Sequence, residues 1–526
     1  MIKDFNEFHD EACITADVCI VGAGAAGITI AREFLSTRYT VVVLESGGLD
    51  TEAETQQLYQ SEIVGLPHIG IHQGRVRTFG GTTTVWGGQS LRFGASDFQE
   101  RSWIPDSGWP ICRQKLDPYY DRADRVLQLG ARIPYNDLCA ASGIEPPAFD
   151  STKLFMECSQ WSRRPNFGTT YRGELRKANN ISVLLHANVT EIITNQAATA
   201  VAHVEFRTLA GKRGTAKARF YVICCGAIET ARLLLASDRI EQHGVGNEYG
   251  LVGSYFQEHI LFWYHNLLTT YRPRLQQLFE SFFLKGRKYA PLIALSERLQ
   301  ADKQLVHICG TVIFWHEPDS SIIAMKNLFR AVRGKSLPPL GELKHLVGKA
   351  LADPRELFGL AYRLYVQGRA GTPRRGPIYF AAMCEMAPNP TSRVMLGERR
   401  DQLGMRRARL DWRLGELERR TASEYIRTIA SEFERLQLGS YDLNQAALLD
   451  DDAGWVRMAH DSLHQMGTTR MHATRKLGVV DSNCQVHGVA NLYIGSTAVF
   501  PSIACLYPTL TMLALCIRIA DRLKQV

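Results

Sequence analysis

The sequence predicts an α/β protein: a doubly wound, parallel sheet in one domain and a second, α+β domain interleaved with it along the chain. Three observations carry that expectation. Asp17-Val18-Cys19-Ile20-Val21 reads as a short buried strand, and residues 26–35 follow it as a helix. Residues 39–44 form a second, β-branched strand, so the chain opens on a βαβ unit, which requires parallel pairing. At 526 residues there is enough chain for two or more domains.

Further strand-like runs fall at 181–186 and 218–224, the latter feeding a helix at 227–236. A strand at 491–494 precedes a long helix at 509–523. Residues 1–97, 181–259 and 449–526 are therefore expected to build the nucleotide-binding domain. Residues 98–180 and 260–448 would build the substrate domain, with an insertion around 326–375.

Apolar residues make up 45% of the chain and charged ones 22%, the composition of a globular protein. A net charge of +8 is too weak at this length to argue for nucleic acid. Its distribution says more. From Lys326 to Arg375 there are 11 Lys and Arg against Glu342, Asp353 and Glu356, so this stretch holds an excess equal to that of the whole chain. Pro338-Pro339, Pro354 and Pro373 break it into helical segments, of which 357–366 is amphipathic. A solvated lid or surface insertion fits it, and so does a helix that docks on a membrane surface or an acidic partner.

The 12 cysteines include no CxxC pair and no Cys/His set with metal-ligand spacing, so buried thiols and no metal are expected. Residues 1–16 carry acidic side chains and no apolar core of a signal peptide. The apolar stretch 492–520 contains Pro501 and Pro508, which disfavours a membrane span. A cytoplasmic location is the expectation.

Gly22-Ala23-Gly24-Ala25-Ala26-Gly27 follows the first strand and opens the first helix. Gly22 would make the tight turn, Gly24 would let backbone N–H groups approach a pyrophosphate, and Gly27 would let helix and strand pack closely. Glu45, 18 residues past Gly27, would accept hydrogen bonds from the ribose hydroxyls, with Ser46 beside it. This Rossmann-like pattern specifies a dinucleotide; FAD and NAD are both open at this point.

Further motifs decide for FAD by resemblance. Phe79-Gly80-Gly81-Thr82-Thr83-Thr84-Val85-Trp86-Gly87-Gly88, Cys225-Gly226-Ala227-Ile228-Glu229-Thr230, Phe256-Gln257-Glu258-His259, His464-Gln465-Met466-Gly467-Thr468-Thr469-Arg470-Met471 and Pro508-Thr509-Leu510-Thr511 occur in this order. Together they resemble the glucose–methanol–choline (GMC) oxidoreductases, in the branch that includes pyranose oxidase and bacterial sugar dehydrogenases. The resemblance runs from about residue 15 to 523 and is weakest over 260–375. It implies FAD held by both glycine-rich loops, with Val189 near the adenine and Gly226, Ser496, Pro508 and Thr509 also along the cofactor. The position of Val85 is a flavin-linking histidine in pyranose oxidase; valine has no nucleophile, so FAD is expected to be non-covalent.

The resemblance also implies that His464 is the base for the hydroxyl proton of an alcohol whose hydride goes to flavin N5. Histidine suits this role because its ordinary pKa of about 6.5 lies near working pH. Where the family has Asn or His before the Pro-Thr-Leu-Thr stretch, this chain has Tyr507. A phenol can donate to an oxyanion but is a poor base near neutral pH. His460 reads as a neighbour or structural histidine; His259 reads equally as a substrate contact or a strand-end residue.

The expected activity is oxidation of a CH–OH group in a sugar, glycoside or other secondary alcohol, with an electron-acceptor protein or dioxygen as the second partner. Competing readings are a tailoring enzyme of a complex natural product, a non-redox lyase on the same fold, and an electron-relay subunit. An intact histidine motif argues against the last two.

Overall fold

The computed structural model describes residues 1–264, 267–269, 271–318, 320–333, 338–373, 375–441, 449–450 and 454–526; Lys335 and Arg374 of the basic stretch lie outside them. In the first sheet the strands Ile2–Asp4, Ile181–Leu185, Val41–Leu44, Ala12–Val21, Arg213–Ile223, Val201–Arg207 and Asn188–Thr194 lie side by side in that order. The first five run parallel, as the opening βαβ unit requires, and the last two are added antiparallel. Val41–Leu44 is buried throughout, which is why it reads as continuous rather than alternating. Ala12–Val21 begins earlier than its apolar run, because Gly214 to Ala218 pair with Ala12 to Ala16 and supply the ladder that apolar side chains do not.

The Arg213–Ile223 strand pairs through Arg213 to Ala216 with Val204 to Arg207, and through Tyr221 to Ile223 with Leu492–Ile494. It thus ties the C-terminal segment of the chain into the sheet. The helix Thr509–Gln525 follows and buries Leu510, Leu513, Ala514, Ile517 and Ala520 at three- and four-residue spacing. The carboxyl ends of Ala12–Val21, Val41–Leu44 and Arg213–Ile223 lead directly into Gly22, Glu45 and Cys224, on one edge of the sheet.

The second sheet is antiparallel, in the order His460–Asp461, Ile260–Tyr264, Ile378–Cys384, Ile308–Phe314, Arg287–Leu295, Leu154–Trp161 and Gln89–Ser90. The helix Glu416–Arg435 covers it, donating Tyr425 OH to Ile293 O at 2.5 Å, while Tyr264 OH donates back to Ala422 O at 3.1 Å. Its two edge strands bound the site. Gln89–Ser90 directly follows the second glycine-rich loop, and His460–Asp461 stands three residues before His464. The basic stretch forms the helices Ser321–Arg333, Leu340–Leu351 and Pro354–Tyr365, with Pro339 as an N-cap and Pro354 in a first turn, where a missing N–H costs nothing. Among the described residues no helix is long and apolar enough to cross a membrane.

Candidate functional site

A cavity of about 450 Å³ opens at the carboxyl edge of the first sheet. The first glycine loop enters it through Gly22, Gly24, Ala25 and Ala26, and the second through Gly81, Thr82, Thr83, Val85 and Trp86. Glu45, Ser46, Val189, Gly226, Ser496, Thr509 and His464 complete the predicted residues that line it. Gly27, Gly80, Gly87, Gly88, Pro508 and Tyr507 are not on its wall.

Three of the glycines show why no other residue fits. Gly22 has φ +100°, and a Cβ there would stand 2.8 Å from Cys224 O. A Cβ on Gly27 would lie 1.9 Å from Gly22 O, so this position holds the helix against the loop rather than touching a ligand. A Cβ on Gly81 would lie 2.9 Å from Gly24 Cα, so the two glycine loops are in backbone contact. The helix Ala25–Glu33 starts at Gly24 with no side-chain cap, which leaves its first N–H groups for an anion in the cavity. Glu45 accepts from Ala23 N at 2.7 Å and Gly47 N at 2.9 Å, and burial pushes its carboxyl above the usual range. Its other lone pairs remain for ribose hydroxyls. The cradle and its chemistry fit a dinucleotide.

The same wall carries a charged network that the sequence did not reveal. Glu229 accepts from Arg75 at 3.1 Å, Arg77 at 2.7 Å and Arg232 at 3.2 Å, and Arg232 reaches on to Asp401 at 2.5 Å. Burial alone would raise the Glu229 carboxyl, but Arg77, Arg232 and Arg75 outweigh it and hold it at about 2. Arg75 and Arg77 also stack on Tyr59, at 4.1 and 4.3 Å from the ring centre. Within this network three guanidinium groups meet two carboxylates, with Glu45 on the same wall. The only sequence signal was Glu229 inside a quoted motif.

At the other end of the cavity His464 meets His259, with Nδ1 to Nδ1 at 3.0 Å and the rings edge to face. His259 Nε2 lies 3.0 Å from Ala504 O, a pure acceptor, so Nε2 carries a hydrogen. Burial pushes both imidazoles below their ordinary pKa, which keeps them neutral. His259 Nδ1 is then a lone pair that accepts from His464 Nδ1–H, and the free lone pair of His464 is on Nε2. His460 is solvent-exposed on its edge strand and takes no part.

Glu258, fully buried, organises this pair. Its Oε1 accepts from His464 N at 2.6 Å, His259 N at 3.0 Å and Ser462 Oγ at 3.0 Å. The Ser462 oxygen is also 3.2 Å from His464 Nδ1. On the far side Oε2 faces His68 Nε2 at 3.3 Å. His68 Nδ1 accepts from Ile71 N at 3.1 Å, so Nε2 is the protonated nitrogen, close to the carboxylate but not hydrogen-bonded to it. His68, Glu258 and Asp461 can each bring one atom within 4.8 Å of the others, a spacing that would suit a metal. Asp461 is already taken, accepting from Ile69 N at 2.7 Å and Gly70 N at 3.0 Å. Backbone hydrogen bonds thus hold Asp461 and His68, while His68 Nε2 and Glu258 Oε2 are close without a hydrogen bond between them. His68 and Ser462 gave no signal in the sequence, and Glu258 only its place in a motif.

The Tyr507 ring lies edge-on to His464, with centres 6.3 Å apart, in a backbone conformation of φ +38°. Leu91, Phe155, Met383 and Cys505 belong to the same apolar cluster, and the phenol interacts with the Ser159 hydroxyl, which in turn accepts from Gln89 Nε2 at 2.7 Å. Burial pushes the phenol far up, so it stays a neutral donor. Val85 is 61% exposed and faces the cavity.

Residues 17–261 and 388–516 match the two family models described as GMC oxidoreductase. The chain is 24% identical to 2-methyl-1,2-propanediol dehydrogenase of Mycolicibacterium austroafricanum, over 97% of this chain and 95% of that one. It is 21% identical to the fructose dehydrogenase large subunit of Gluconobacter japonicus, over 97% of both. Among solved structures, a fungal aryl-alcohol oxidase superposes with a TM-score of 0.60 at 17% identity, covering 98% of this chain and 99% of that one, which shows a common fold.

Proposed function

The chain belongs to the GMC oxidoreductases, FAD-dependent enzymes, and from that premise we propose that it oxidises a CH–OH group with His464 as the base. The observation that carries the reading is the His259–His464 contact, which leaves the unprotonated Nε2 of the only cavity-lining histidine without a partner among the described residues. Bound FAD supplies the hydride acceptor. His464 Nε2 takes the hydroxyl proton as negative charge develops on the substrate oxygen, and Glu258 stabilises the imidazolium that results. Tyr507, neutral and edge-on to His464 though not on the cavity wall, is assigned the hydrogen bond to that oxygen. Arg77 and the first turn of Ala25–Glu33 hold the pyrophosphate, and Glu45 the ribose. Val85 offers no nucleophile, so FAD is held non-covalently; acid precipitation should leave all yellow flavin in the supernatant.

The substrate class is a polyol or sugar. The relatives named for a diol and for fructose favour it. The test is an anaerobic screen of sugars, diols and simple alcohols in which bleaching of the flavin is followed. Bleaching by at least one polyol, lost in His464→Ala with FAD content unchanged, is the expected result. Turnover of a substrate without bleaching would instead mean a lyase.

A further inference from the structure

A second, smaller cavity of about 100 Å³ has Asp97, Glu157, His307, Ala504, Cys505 and Leu506 on its wall and shares no lining residue with the larger one. The segment 504–507 serves both. Ala504 O is 3.0 Å from His259 Nε2 and the Tyr507 ring lies edge-on to His464, while Ala504 to Leu506 wall the smaller cavity. There His307 Nδ1 lies 2.9 Å from Asp97 Oδ1, so Nδ1 carries a hydrogen and Nε2 is the nitrogen left over. Gly94 N holds the other Asp97 oxygen at 2.7 Å, and Glu385 holds His307 N at 3.0 Å. The buried Cys505 thiol interacts with the His307 ring and with the Cys309 thiol, which shares its apolar cluster with Leu292 and Ala294.

A thiol, an imidazole beside it and a carboxylate that orients the imidazole form the arrangement that activates a sulfur nucleophile. No step of the hydride transfer uses these groups. Burial pushes the Cys505 thiol up, so it keeps its proton at rest. Burial also opposes a charge on His307, but the sulfur and Asp97 outweigh it and raise the imidazole, which makes His307 the acceptor of that proton. We propose that Cys505 is a peroxide-reactive thiol that closes a disulfide with Cys309 and thereby controls the flavin site. The Cys505 sulfur attacks one oxygen of hydrogen peroxide as its proton passes to His307. The O–O bond breaks, the leaving hydroxide takes that proton and departs as water, and a sulfenic acid remains. The Cys309 sulfur then displaces the sulfenic hydroxyl, which forms the S–S bond and releases a second water. Two thiols are oxidised by two electrons and one peroxide is reduced by two. A cavity this small holds hydrogen peroxide and little more. Asp97, Glu157 and Glu297 on its wall favour a neutral oxidant over an anionic one, and Arg92 on the same wall is paired with Asp121 and Asp124. The new bond ties Cys505 to the strand Ile308–Phe314 and displaces its neighbours Ala504 and Tyr507 from His259 and His464, an effect that rests on the roles given to His464 and Tyr507.

In the experiment the FAD-loaded protein, reduced and freed of reductant, is exposed to hydrogen peroxide, denatured in iodoacetamide and digested for mass spectrometry. A cross-linked pair of peptides carrying Cys309 and Cys505, lighter by two hydrogens than the free pair, is expected. It should form about tenfold more slowly in His307→Gln. In Cys309→Ser it should be absent, with Cys505 trapped instead as a sulfenic acid by dimedone. Flavin reduction by a substrate from the bleaching screen should fall about tenfold in the oxidised protein and return on addition of dithiothreitol, with FAD content unchanged. Cys309 and Cys505 both alkylated after peroxide, or oxidation as fast in His307→Gln as in the parent, overturns the thiol site. A disulfide that leaves flavin reduction unchanged overturns its control of the flavin site. The mass measurement needs no alcohol substrate, so failure of the hydride-transfer reading is told apart from failure of this one.

Discussion

Replacing Glu258 by glutamine removes one negative charge from a pocket in which three donors bind its Oε1 and His68 stands 3.3 Å from its Oε2. The path through the Ser462 hydroxyl puts the carboxylate within about 6 Å of His464 Nδ1, and at an effective dielectric of 20 that limit gives about 3 kcal/mol of stabilisation of the imidazolium. Screening by water in the open cavity halves it, to about one pKa unit. Burial pushes His464 down and Glu258 pulls it up, so removing the charge moves the acid limb of flavin reduction to lower pH by about one unit. The weaker base, and a glutamine amide that cannot accept from three donors, should also lower the plateau by about tenfold. The assay is anaerobic stopped-flow reduction against pH with a substrate found in the bleaching screen. Glu258→Asp keeps the charge and should restore the limb but not the full plateau. A Glu258→Gln limb that coincides with the parent's, with FAD content intact, would refute the reasoning.

Tyr507→Phe should lower the reduction rate by about a hundredfold with FAD still bound; unchanged turnover and substrate affinity would end the donor role. Gly27→Ala puts a Cβ 1.9 Å from Gly22 O, so the purified protein should lose most of its absorbance near 450 nm and about 1–3 kcal/mol of stability, read by thermal melting. At His186 burial opposes the proton, but Asp4 and Glu52 outweigh it and raise the folded pKa. The stability this provides is full below about pH 6.5 and is lost as pH rises through the higher folded value. His186→Gln should therefore lower the melting temperature near pH 6 more than near pH 8, and an equal drop at both would count against the pairing.

What the sequence determined by itself is local. A glycine that must turn at positive φ or admit a neighbouring backbone shows itself in a few adjacent letters, and so Gly22, Gly24 and Gly81 could be read directly and are found on the cavity wall. The same holds for His464, which its motif marks and which stands three residues after Asp461. Tertiary structure decided what those residues meet. Glu258 and His68 are far apart in the chain, and only the fold brings them to 3.3 Å, because no periodicity marks a polar contact between distant loops. Arg75, Arg77, Arg232 and Asp401 share no sequence signal, and only burial around Glu229 joins them. Helical spacing showed that 357–366 has two faces, but not which one meets water. Packing settled that by turning Arg363 inward to Glu280 and leaving Phe358, Tyr362 and Tyr365 outside.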